Sequence, residues 1–113
     1  MVIDFQSVSF NYCECNDFFT VKKGIPTKEE LERLSADIGE NWQSLGRRLG
    51  IDDALLTGFD RENKVYREKP YKMLLRWRKR QGSFASYQIL YDALCHELVG
   101  SKDLAEKFCC EQP

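Results

Sequence analysis

Apolar residues recur along most of this chain at the spacing of helix faces, and small capping residues and glycines divide them into short blocks. Leu31, Leu34 and Ile38 fall on one side of a helix that Thr27 and Glu30 open as a capping box and Gly39 closes. Asn41 is a good cap for a second helix striped with Trp42, Leu45 and Leu49 and ended by Gly50. Asp52 can cap a third, bearing Leu55, Leu56 and Phe59. Residues 60 to 68 (DRENKVYRE) read as a polar loop. A fourth helix starts near residues 66 to 70, where Pro70 is tolerated in the first turn, and runs to Gln81 before Gly82. Ser86 opens a fifth with Leu90, Ala93, Leu94 and Leu98, and Gly100 breaks it. Ser101 opens a sixth with Leu104, Ala105 and Phe108.

Six short helices, each with one apolar stripe, bury those stripes only against one another, which predicts a compact all-α bundle. The first 25 residues lack a helical period; Val8, Phe10 and Tyr12 alternate with polar residues and suit a short extended segment. Residues 1–26 are therefore expected to form an N-terminal extension or linker, and 111–113 a tail.

Composition and charge narrow the function. At 113 residues, 42% hydrophobic and 31% charged, one globular domain is expected. No run of about 18 apolar residues encodes a membrane span, and the N-terminus has no secretory pattern; a cytoplasmic location is the expectation. The net charge of -1 hides a polarised chain. Residues 64 to 80 carry eight bases and one acid, residues 27 to 60 eight acids and four bases. If the fold separates them, the molecule has one positive and one negative surface.

The five cysteines, Cys13, Cys15, Cys95, Cys109 and Cys110, cannot all pair within one chain, and reduced thiols are expected. Their spacing fits no common zinc pattern, and His96 is the single histidine, so no metal and no cofactor is expected. Cys95 and His96 are adjacent, which points their side chains about 100° apart on a helix. The glycines sit singly at helix ends, without a phosphate loop. No catalytic residues, and no small-molecule substrate, are assigned.

Four phrases together resemble the death domain family. IGENWQSLGRRLGI carries Trp42, Leu45 and Leu49 in a Gly39-to-Gly50 frame; YKMLLRWRKRQG carries Met73, Leu74, Trp77 and Gly82; SYQILYDAL carries Leu90, Ala93 and Leu94; KDLAEKF carries Asp103 to Glu106. The resemblance covers about residues 27 to 110, and the two tryptophans favour the death domain proper over its sister families. It implies a six-helix antiparallel Greek-key bundle, the death fold. It further implies a non-enzymatic adaptor that binds other death domains, hetero- or homotypically, and assembles oligomers, often helical, in apoptotic or innate-immune signalling. Pro70 departs from the family, which has a small helix former there, and residues 1 to 25 match nothing in its pattern.

Residues 73 to 82, MLLRWRKRQG, place four bases around Trp77. On a helical wheel Pro70, Met73, Leu74, Trp77 and Gln81 fall on one side and Lys72, Leu75, Arg76 and Lys79 on the other. The tryptophan is thus expected in the core, apart from the charges. The basic face could be a solvated helix face, a docking face for an acidic domain, or a nucleic-acid contact. Docking is preferred, because single-strand binding also wants exposed aromatics. The expected basic docking face is Lys72, Leu75, Arg76, Lys79 and Arg80, with Leu75 as an apolar anchor. Its acidic counterpart is Asp52, Asp53, Asp60 and Glu62. Unlike faces on one molecule make heterologous contacts that propagate instead of closing as a dimer. Two alternatives remain from other classes: a small helical nucleic-acid binder using residues 64 to 80, and a thiol redox or metal site at the paired cysteines.

Overall fold

A computed structural model describes residues 20–111, which hold six α-helices. They are α1 (Lys28–Ile38), α2 (Trp42–Arg48), α3 (Asp53–Glu62), α4 (Glu68–Gln81), α5 (Tyr87–Cys95) and α6 (Lys102–Cys109). Short 3-10 turns, Gly39–Asn41 and Gly82–Phe84, precede α2 and α5. The alternating segment around Val8, Phe10 and Tyr12 lies outside the described residues.

The stripes pack as their period demands. α4 lies against α1, α2 and α3, while α6 packs on α5 and α1. Leu31, Leu34, Leu45, Met73, Leu74 and Leu94 are fully buried, with Leu56, Trp77 and Leu90 close to it. Pro70, third in α4, is buried in the first turn, where it costs no hydrogen bond.

The caps divide into confirmed and reassigned ones. The Thr27–Glu30 capping box is complete, and Ser86 accepts from the Ile89 N–H at 3.1 Å. Gly39 ends α1 at φ 65, a conformation costly for any residue with a Cβ. Asn41 does not cap α2; its Nδ2 donates to the Val99 carbonyl at 3.0 Å and ties the start of α2 to the α5–α6 turn. Asp52 and Ser101 stand at the N-cap positions of α3 and α6 without a side-chain capping bond.

Leu98 does not extend the α5 stripe. The helix stops at Cys95 because His96 takes extended angles (φ -56, ψ 141), so Leu98 swings out to 61% exposure and Val99 enters the core. Nor do all glycines sit at helix ends. Gly46 lies inside α2, where an added Cβ would stand 2.6 Å from Leu56 Cδ2.

Residues 20 to 26, expected to belong to an extension, are stitched to the bundle. β1 (Thr20–Val21) pairs antiparallel with β2 (Cys110–Glu111), Val21 opposite Cys110. The Lys22 N–H donates to the Cys109 carbonyl at 2.7 Å, the Tyr87 N–H to Gly24 at 3.1 Å, and Arg78 Nε to Pro26 at 2.8 Å.

Candidate partner-docking surfaces

The α4 sequence alternates core and solvent faces so that its charges collect along one side. Trp77 is 1% exposed, packed among buried residues, while Lys72, Arg76, Lys79 and Arg80 are exposed around half-buried Leu75. The aromatic and the charges therefore occupy separate faces. Gln81, expected on the core side, is exposed because the helix there has run past the core. No ion pair among the described residues engages Lys72, Arg76, Lys79 or Arg80. Three of them, Arg76, Lys79 and Arg80, line a shallow open hollow. Such a face pays self-repulsion that an acidic partner relieves.

The two other bases of α4 itself are spent internally. Arg78 holds the Pro26 carbonyl and is half-buried. Lys69 Nζ reaches Asp60 Oδ1 at 2.7 Å and lies over the Tyr66 ring. The wheel hints at the Arg78 role by placing it on the flank between core and solvent, but its acceptor is 52 positions away in the chain.

The acidic set splits in the same way. Asp53 pairs with Arg47 Nε at 2.8 Å, and Asp60 is taken by Lys69. Asp52 and Glu62 are exposed and enter no ion pair among the described residues. Pairs as exposed as Asp53–Arg47 contribute about 1 kcal/mol or less, so they can exchange for a partner's charge.

Elsewhere the charges compensate one another. An open groove of about 710 Å³ between α1 and the ends of α5 and α6 is lined by Glu29, Glu30, Arg33, Asp37 and Lys107 among others. Glu29 pairs with Arg33 at 2.5 Å, Asp37 with Lys107 at 3.0 Å, and Glu30 with Lys22 at 2.9 Å. Glu30 is a hub that the sequence shows only as half of a capping box. Besides Lys22, it accepts from the Thr27 N–H at 2.9 Å and the Tyr87 hydroxyl at 2.5 Å. Burial pushes its carboxyl upward, but the bonds from Tyr87, Thr27 and Lys22 outweigh this and hold it below the ordinary 4.5. Tyr87 is raised, by burial first and then by its bond to Glu30 and that charge.

Thiol chemistry finds little to work with. Burial, then the charge of Glu30, pushes Cys109 up to about 12, so its reactive thiolate is suppressed. Cys95 and Cys109 form no disulfide. The expectation of reduced cysteines is corrected at Cys110, which is disulfide-bonded. An odd cysteine count forbids complete pairing but does not forbid a bridge. Among the described residues, no three His, Cys, Asp or Glu side chains converge as metal ligands. No helix among them is long and apolar enough to cross a membrane.

Comparison with known proteins agrees with this architecture. The chain is 41% identical over 68 residues to Tumor necrosis factor receptor superfamily member 10B of Mus musculus; the match covers 60% of this chain and 17% of that protein. The chain thus spans less than a fifth of the length of that curated relative. A family model described as Death domain matches residues 28–108, from the first residue of α1 to the penultimate residue of α6. With that match across the whole helical bundle, the chain belongs to the death domain family, the protein-interaction modules of apoptotic signalling.

Proposed function

We propose that this chain is a non-enzymatic module that binds other death domains from the cytoplasmic side of an apoptotic or innate-immune pathway and assembles signalling oligomers with them. The observation that carries this reading is the α4 face, where Lys72, Arg76, Lys79 and Arg80 stand around half-buried Leu75 and enter no ion pair among the described residues. An apolar contact within a rim of long-range charge is the arrangement that orients and speeds association. The acidic counterpart is Asp52 and Glu62, exposed and in no ion pair among the described residues, with Asp53 and Asp60 joining by exchanging their surface partners. Because the two faces differ, successive contacts are heterologous and build open or helical assemblies. The receptor name of the mouse relative suits a chain that forms the signalling part of a longer receptor. The nucleic-acid alternative is weaker, since Trp77 is buried and cannot stack on a base.

Reversing two charges, R76E with K79E, tests the docking face. Affinity for a cognate death domain, measured by surface plasmon resonance, should fall at least about tenfold, mostly through a slower on-rate that loses its salt dependence. Unchanged affinity would remove α4 from the interface. The salt slope of any nucleic-acid binding, read on the same pair, checks the alternative.

A further inference from the structure

The far end of α4 combines charge with exposed apolar surface. The chain leaves this helix through the Gly82–Phe84 turn and enters α5 at Tyr87. Phe84, in the turn, is 72% exposed, and Ile89, in the first turn of α5, is 43% exposed. Ser86 joins them: its N–H donates to the Phe84 carbonyl at 2.8 Å, and its hydroxyl accepts from the Ile89 N–H. Ile25, 36% exposed, is brought to the same corner by the Tyr87–Gly24 and Arg78–Pro26 bonds. Three large apolar side chains left in water at one corner mark a contact surface.

The corner is also rich in cations that no ion pair among the described residues engages. Residues 20 to 28 and 69 to 91 contain no aspartate or glutamate. Lys23, Lys79 and Arg80 are exposed and enter no ion pair among the described residues. Two carboxylates approach from neighbouring elements: Glu30 of α1, already offset by Lys22, and Glu111 of β2, opposite Thr20.

We infer that this corner docks on an anionic phospholipid bilayer, with Phe84, Ile25 and Ile89 entering the headgroup boundary and Lys23, Lys79 and Arg80 meeting lipid phosphates. A basic patch together with apolar insertion supplies the two signals that stable membrane attachment takes. Phe84 protrudes on a turn, and a fluid bilayer accepts a protruding side chain without a preformed pocket. Two of the three apolar groups are aliphatic and offer no stacking platform for nucleic acid. The surface is separable from the proposed docking face: Lys79 and Arg80 are shared, but Lys72, Leu75 and Arg76 lie outside it.

Co-sedimentation of the 113-residue chain with vesicles tests the inference. Phosphatidylcholine vesicles containing roughly one third phosphatidylserine should bind it, pure phosphatidylcholine should not, and added salt should weaken binding. F84S and K23E should each lower partitioning several-fold, together by about tenfold or more, whereas K72E should leave it unchanged. In F84W the added indole emission should shift to the blue with anionic vesicles. The inference fails if both vesicle types bind equally, if F84S partitions like the parent chain, or if K72E weakens binding as much as F84S. A chain that ignores vesicles at low salt yet binds a single-stranded oligonucleotide overturns it in favour of nucleic acid.

Discussion

Trp77 stands among four cations in sequence, yet it shares no surface with the charges that extend into solvent. At the residue scale the helical period decides this, since neighbours in sequence point about 100° apart. Gly46 shows the opposite case, a residue whose meaning is invisible until helices are packed. Glycine inside a helix costs about 1 kcal/mol relative to alanine, so G46A would stabilise an isolated α2. In the bundle its new Cβ would meet Leu56 Cδ2 at 2.6 Å and Met73 Cγ at 3.4 Å. Leu56 is 1% exposed and has little room to rotate away. The expected net result is a loss of about 1–2 kcal/mol in chemical denaturation. A gain in stability would show that Leu56 yields.

At the element scale, the segment from Thr20 to Pro26 and the start of α1 depend on one carboxylate. Glu30 closes the capping box and also receives Lys22 and the Tyr87 hydroxyl. E30Q should therefore cost about 2 kcal/mol at pH 7, because charge-assisted bonds from two other elements weaken together. The pH dependence has a definite sign. The folded-state pKa of Glu30 lies below its ordinary 4.5, so the unfolded chain binds the proton first. The stability it contributes is complete above the ordinary value and is lost as pH falls through the lowered folded value. Melting curves of E30Q and the parent chain should thus converge as the solution is acidified through that window. A gap that stays constant would mean the glutamine disturbs packing instead of charge.

For the whole molecule, the consequence is that the N-terminal segment supports the bundle. Residues 20 to 26 join the ends of α6, α5 and α4 through backbone and side-chain bonds. Removing residues 1–25 should lower the thermal midpoint by roughly 5–10 °C, the scale expected when one to two kcal/mol are lost from a small domain. An unchanged midpoint would make the stitching irrelevant to stability. Six helices, their order and most of their core positions were legible in the chain, because apolar period and caps are local signals. The candidate docking face was legible for the same reason: Lys72, Arg76 and Lys79 recur at helical spacing. The acidic half was less so, since the commitment of Asp53 to Arg47 and Asp60 to Lys69 depends on how α2, α3 and α4 meet.

The sequence by itself determined the elements and their apolar faces, since both follow from the 3.6-residue repeat and from residues that start or stop a helix. It also carried the family phrases, whose tryptophans and leucines report core positions. Tertiary structure alone decided which charges remain free, that Asn41 and Arg78 serve distant carbonyls, that Val99 and not Leu98 is buried, and that residues 20 to 26 join the bundle. Each of these depends on partners 50 or more positions apart or on where a helix ends against its neighbours, and no local period encodes such distances.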